Sequence, residues 1–165
     1  MPSRFERTPD QPNQGSSPQG RPVNYLLDTN VLSEATRAIP DTRVAEWFSR
    51  RAHGSCFISL VSTAEIRKGI LMLPRGKKRQ MLEGWLAEEL LPAFAGRILP
   101  LGEEEMNSWA TLQAEAEKAG RRLPVVDSLI AATALCHGLT LATRNIQDFQ
   151  HCRISVLNPW SPKQP

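Results

Sequence analysis

Five short apolar runs of strand type recur along this chain, and helical patterns fill most of the gaps between them. The runs are Tyr25-Leu26-Leu27, Cys56 to Leu60, Arg97 to Leu101, Leu139 to Thr143 and Arg153 to Leu157. Val44, Trp47, Phe48 and Arg51 recur at helical spacing after the first run. A helix is expected from Ser62 into Ile66–Leu73, and another over Lys77 to Phe94 with Leu82, Trp85, Leu86 and Leu90 on one face. Two more come later, over Glu103 to Ala119 and over Ser128 to His137, with Gly138 as the residue that ends the last. Strands alternating with helices predict an α/β fold with a mainly parallel central sheet of four to five strands flanked by helices. Pro100 places the third run at a sheet edge or a strand end.

A parallel sheet matters here because acids stand just beyond the ends of its strands. All strands point the same way, so their carboxyl ends share one edge, where ligands of open α/β sheets bind. Asp28 comes directly after Tyr25-Leu26-Leu27, Glu65 lies in the first helical turn after the second run, and Asp127 opens the helix at Ser128. Asn145 and Asp148 come after the fourth run. Each acid has a purely structural alternative. Asp28 suits a helix N-cap, Ser62 and Glu65 fit a capping box, and Asp127 complements a helix dipole. Those alternatives explain the acids singly but not their shared edge. Converging carboxylates repel unless something offsets them. Arg144 supplies part of that charge; a hard divalent cation such as Mg²⁺ or Mn²⁺ supplies it better. Carboxylates around such an ion point to phosphodiester hydrolysis.

Other chemistries fit less well. Gly76-Lys77-Lys78 resembles a phosphate loop but lacks its first glycine and its Ser or Thr. Cys136-His137 and His151-Cys152 invite a zinc reading, yet adjacent helical residues diverge and no C-x₂₋₄-C spacing is present. The three cysteines therefore read as core residues in a reducing compartment. Glu103-Glu104-Glu105 reads as dipole-complementing acid in a first helical turn. The formal charge of +3 permits nucleic-acid binding without arguing for it. Arg67, Lys68, Arg121, Arg122 and Arg144 are candidate contacts to a nucleic-acid backbone. No apolar run is long enough to cross a membrane, so a cytoplasmic protein without membrane contact is expected.

Residues 1–22 are rich in Pro, Gln, Ser, Gly and Arg and nearly lack apolar side chains. Such a segment is expected to be disordered. Val23 is an alternative natural start, which mass spectrometry of the natural protein would test. One domain is expected over residues 23–160, with a short tail at 161–165.

Four motifs in order carry a family resemblance. They are Asp28-Thr29-Asn30-Val31, Ser62-Thr63-Ala64-Glu65-Ile66, Asp127-Ser128-Leu129-Ile130-Ala131-Ala132-Thr133-Ala134, and Thr143-Arg144-Asn145-Ile146-Gln147-Asp148-Phe149. With Phe94 to Pro100 and Asn158-Pro159-Trp160, the chain from Asn24 to Trp160 resembles the PIN-domain ribonucleases of the VapC toxin family, especially its FitB-like branch. The resemblance implies a Mg²⁺- or Mn²⁺-dependent endoribonuclease that is the toxin of a type II toxin–antitoxin pair. Asp28 and Asp127 would be the main metal ligands, with Glu65 binding directly or through water. The fourth position falls to Asp148, contributing less than the first three, with Asn145 in a supporting or water contact. Thr29, Asn30 and Thr143 would orient the carboxylates. It also implies an RNA substrate, a cognate antitoxin that contacts operator DNA, and a homodimer. Two rivals share these features: a metal-dependent DNA nuclease, and a non-catalytic subunit that represses with its antitoxin.

Overall fold

In the computed structural model, residues 23–52 and 54–162 are described; the expected disordered segment 1–22 and the end of the tail lie outside them. The five strands are β1 (Tyr25–Leu27), β2 (Cys56–Ser59), β3 (Ile98–Leu99), β4 (Thr140–Ala142) and β5 (Val156–Leu157). All neighbouring pairs are parallel, in the order β3-β2-β1-β4-β5. The fold class expected from the alternation is therefore the one observed. Strand β1 lies at the centre, with Leu27 opposite Ile58 of β2 and Ala142 of β4. The chain leaves β1 towards β2 on one side and returns to β4 on the other. The gap between the carboxyl ends of β1 and β4 is thus a topological switch point, where such sheets open a crevice.

The period-two alternation of β1 sorts its side chains between two cores. Tyr25 and Leu27 join Val31, Leu32, Leu90, Phe94 and Trp160 on one face. Leu26 joins Leu112, Ile130, Ala132, Leu141 and Phe149 on the other. Helices α1 (Thr29–Glu34), α2 (Thr42–Ser49), α3 (Leu60–Leu71), α4 (Lys77–Gly84), α5 (Leu91–Ala93), α6 (Glu103–Lys118), α7 (Val125–Cys136) and α8 (Ile146–Phe149) cover the sheet. Small side chains let α7 lie close against it: Ala131, Ala132 and Ala134 are fully buried. Gly138 comes just after α7 with φ +61°, the left-handed geometry expected of a helix-ending glycine.

Three local expectations are corrected. The helix expected to run unbroken from Lys77 to Phe94 contains a π-helical turn, Trp85–Leu90, between α4 and α5. Trp85, Leu86 and Leu90 nevertheless share one core, the face that the helical spacing expected. Helix α2 ends at Ser49, before the expected stop near His53-Gly54, and His53 itself lies outside the described residues. Helix α3 starts at Leu60, and its cap is Ser59, whose Oγ accepts the Ser62 backbone N–H at 3.0 Å. Ser62 is therefore buried inside the helix, and Glu65 is released from the capping role the S-x-x-E spacing suggested.

Candidate active site

Asp28 is the residue at which β1 stops. Its backbone N–H still belongs to the sheet, donating to the Ala142 carbonyl of β4 at 3.0 Å. Its carboxylate already belongs to the helix, because Oδ1 caps α1 by accepting the Thr29 N–H at 2.7 Å. The structural and functional readings of this residue are thus compatible. Oδ2 accepts the Thr143 hydroxyl at 2.6 Å and the Asn30 side-chain amide at 2.8 Å. Asp28 is 7% exposed and Thr143 fully buried. Burial holds the Asp28 carboxyl above its ordinary range; the Thr143 and Thr29 hydrogen bonds oppose this, and the charge of Glu65 adds to it.

A short network fixes these donors. The Asn30 amide also reaches the Thr143 hydroxyl oxygen at 3.1 Å, and Asn30 Oδ1 accepts the Arg144 backbone N–H at 3.2 Å. The Asn145 backbone N–H donates to Thr143 Oγ1 at 3.1 Å. Asn145 therefore supports the network through its main chain. Thr143 spends its proton on Asp28 and both acceptor sites on Asn30 and Asn145, which leaves its hydroxyl one orientation. Across the cleft, the Thr29 hydroxyl donates to Glu65 Oε2 at 2.7 Å, so one turn residue links the acids of α1 and α3.

Asp127 is the third residue of α7 and is half-buried. Burial pushes its carboxyl up, and the charges of Asp148, Asp28 and Glu65 push it further. Four acids far apart in sequence thus act on one another at the crevice. Asp148, on α8, stands at its exposed rim. Among the described residues, none of the four is in an ion pair. The expectation that Arg144 offsets them fails: its guanidinium lies over the Trp160 ring, 5.2 Å from the centroid. Of the other basic candidates, Arg67 and Lys68 are exposed on α3, and Arg121 meets His151 at 3.5 Å.

One positioning residue was missed from the sequence. Ser128, fully buried beside Asp127, accepts from Trp109 Nε1 at 3.0 Å and Gln113 Nε2 at 2.8 Å. It donates to the Val125 carbonyl at 2.9 Å. These bonds pin the first turn of α7, and with it Asp127, to α6. The available signal was Gln113, a polar residue on the apolar face of its helix.

The donor set is made of carboxylate oxygens without a cation, oriented by neutral hydroxyls and amides. Hard divalent cations prefer such oxygen ligands, and the mutual repulsion of the acids is what an ion of that kind would relieve. The residues present therefore fit a divalent metal.

Comparison with known proteins agrees with this geometry. The PIN domain family model matches residues 25–153. The chain is 39% identical to VapC ribonuclease Y4jK of Sinorhizobium fredii over 137 residues, covering 83% of this chain and 98% of that protein. It is 40% identical to toxin FitB of Neisseria gonorrhoeae, covering 82% and 97%. The solved structure of FitAB bound to the IR36 DNA fragment superposes with a TM-score of 0.79 at 37% identity, over 85% of this chain and 98% of that one. The strand-end acids, the switch-point crevice and these likenesses together assign the chain to the PIN-domain family, in its FitB-like VapC branch.

Proposed function

We propose that this protein is an endoribonuclease that serves as the toxin of a type II toxin–antitoxin pair and uses Mg²⁺ or Mn²⁺. The observation that carries this reading is the meeting of Asp28, Glu65, Asp127 and Asp148 in one crevice, with no ion pair to any of them among the described residues. The names of its relatives, a VapC ribonuclease and the FitB toxin, supply the reaction and the biological setting.

In this reading Asp28 and Asp127 hold the metal, and Glu65 binds it directly or through water. A bound divalent ion supplies Lewis acidity and lowers the pKa of water next to a phosphoryl group. Asp148, at the rim, contributes less. Thr143 and Asn30 aim Asp28, Thr29 aims Glu65, and Ser128 sets the position of Asp127. Arg144, held over Trp160, faces solvent and contacts the RNA backbone. Hydrolysis at phosphorus leaves a 5′-phosphate and a 3′-hydroxyl.

The FitAB structure pairs a toxin relative with a second protein on DNA. By that analogy, the partner here is a cognate antitoxin that carries the operator contact and covers the acidic crevice, and the toxin is a homodimer. A toxin of this kind acts on cellular RNA in the cytoplasm. The family match over residues 25–153 supports a domain at 23–160, flanked by 1–22 and 161–165.

The test is cleavage of total cellular RNA and of matched DNA by antitoxin-free protein, with Mg²⁺, Mn²⁺ or EDTA, alongside Asp28→Ala. RNA cutting that needs metal and disappears in the variant is the expected result. Cutting confined to DNA would move the assignment to a DNA nuclease. No cutting, or equal cutting by the variant, would remove the proposed site and move the assignment to the DNA-nuclease or repressor reading.

A further inference from the structure

The opposite end of α7 carries a second group of metal-ligating side chains. Cys136 is the last residue of α7 and His137 is its C-cap. The premise that their side chains diverge does not hold, because the chain has left the helical path at His137 (φ −96°, ψ 4°). Both reach Glu105, in the first turn of α6. His137 Nε2 lies 2.8 Å from Glu105 Oε1, and Cys136 Sγ lies 3.8 Å from the same oxygen. A second carboxylate, Glu104 Oε2, is also 3.8 Å from the sulfur. Cys136 is only half-buried, so it is not the core residue the sequence suggested.

The donor chemistry differs from that of the crevice. One sulfur, one imidazole nitrogen and one carboxylate oxygen all lie within 4.8 Å of one another. Glu105 is 5% exposed, and its other oxygen is fixed by the Gly102 backbone N–H at 2.8 Å. The capping role thus accounts for Oε2 and leaves Oε1 aimed at Cys136 and His137. Ligand atoms around a tetrahedral Zn²⁺ with bonds of about 2.0–2.3 Å sit roughly 3.3–3.7 Å apart, and the two distances to Glu105 Oε1, 2.8 and 3.8 Å, lie on either side of that range. The carboxyl end of a helix also favours positive charge.

We propose that Glu105, Cys136 and His137 form a three-ligand binding site for a borderline-soft divalent ion of the Zn²⁺ or Co²⁺ class. The site is separate from the carboxylate crevice: Cys136 is about 14 Å along the helix axis from Asp127. Thiolate and imidazole select this class over Mg²⁺. Binding displaces the thiol proton to solvent and takes the lone pair of Nε2, with the imidazole proton on Nδ1. Without metal, burial and the charges of Glu105 and Glu104 hold the Cys136 thiol above its ordinary range. The bound ion ties the start of α6 to the end of α7.

The test is Co²⁺ titration of the full chain in excess Mg²⁺ and a phosphine reductant, with subsequent competition by Zn²⁺. A thiolate-to-Co²⁺ charge-transfer band in the near-ultraviolet is expected, saturating at one equivalent and erased by Zn²⁺. The band reports thiolate ligation independently of nuclease activity, and its loss in Cys136→Ser assigns it to Cys136 rather than to Cys56 or Cys152. Loss of a supporting contact alone typically costs about 10–100-fold in metal affinity, so Cys136→Ser and His137→Gln should each weaken Zn²⁺ binding by at least about tenfold. Asp28→Asn should leave the band intact. Absence of the band from the folded wild-type chain, or its persistence in folded Cys136→Ser, would overturn the site.

Discussion

The two ends of α7 hold titratable groups in opposite states. At the start, Asp127 faces Asp28, Glu65 and Asp148, all of one sign, and burial and repulsion hold both Asp127 and Asp28 above their ordinary range. At the end, Glu105 meets an imidazole and a thiol, and its carboxyl is held below its ordinary range, first by backbone hydrogen bonding and then by His137. The carboxylates of the first cluster repel one another, while at the second the imidazole lies 2.8 Å from a carboxylate oxygen. The difference lies in donor type: the first end gathers carboxylates alone, whereas the second sets an imidazole and a thiol against Glu105.

The strongest way to break the comparison is to change one residue at each end. Asp127→Asn should reduce RNA cleavage by more than about a hundredfold, since the proposed function makes Asp127 a direct ligand rather than a supporting contact. Cys136→Ser should leave cleavage within about twofold of wild type under saturating Mg²⁺. Equal losses in a quantitative cleavage assay would show that the two ends are one functional unit.

A smaller effect sharpens the role of the donors. Thr143→Val keeps the side-chain shape and removes the 2.6 Å hydroxyl bond to Asp28. The expected cost is about 10–100-fold in Mg²⁺ affinity or in cleavage, and excess metal should recover part of it. An unchanged metal dependence would mean that Thr143 only fills space.

Smaller again is the effect at Arg144, which is solvent-exposed over Trp160. Arg144→Ala should weaken RNA binding a few-fold and lower the slope of log affinity against log salt by about one. Binding by catalytically inactive Asp28→Ala protein, with and without Arg144→Ala, measures it.

The smallest effect is on stability. Asp28 and Asp127 have folded-state pKa values raised above the ordinary 3.8. A carboxyl raised in this way binds more protons folded than unfolded, so the metal-free protein loses stability as pH rises from 3.8 through the folded values. Thermal unfolding in EDTA should show that decline, Asp127→Asn should make it shallower by a few degrees, and Mg²⁺ should oppose it. A decline untouched by Asp127→Asn would place the repulsion elsewhere.

Much was readable from local pattern. The apolar runs and helical spacings determined the α/β class and the parallel sheet, because hydrophobic periodicity is a property of neighbouring residues, and Pro100 pointed to an edge position or strand end for β3. Asp28, Glu65 and Asp127 stood out because each comes after a strand or opens a helix, and strand direction alone puts such residues on one edge. Asp148 was legible for the same reason, whereas its exposed place at the rim came only with the fold.

What remained hidden depends on which elements become neighbours. The Asp28–Thr143 bond joins residues 115 positions apart and exists only because β4 pairs with β1. The choice of Ser59 over Ser62 as cap was set by where β2 stops. Arg144 was a plausible counter-charge by position, but the folded tail placed Trp160 beneath its guanidinium. Ser128 and Glu105 owe their roles to the packing of α6 against α7, which no spacing within either helix encodes. The sequence by itself determined the class of fold and which acids face one edge, through short-range periodicity and strand direction. Tertiary structure decided which hydroxyls hold those acids, which cation stays away, and where sulfur, imidazole and carboxylate meet, because those contacts form only when distant segments are packed side by side.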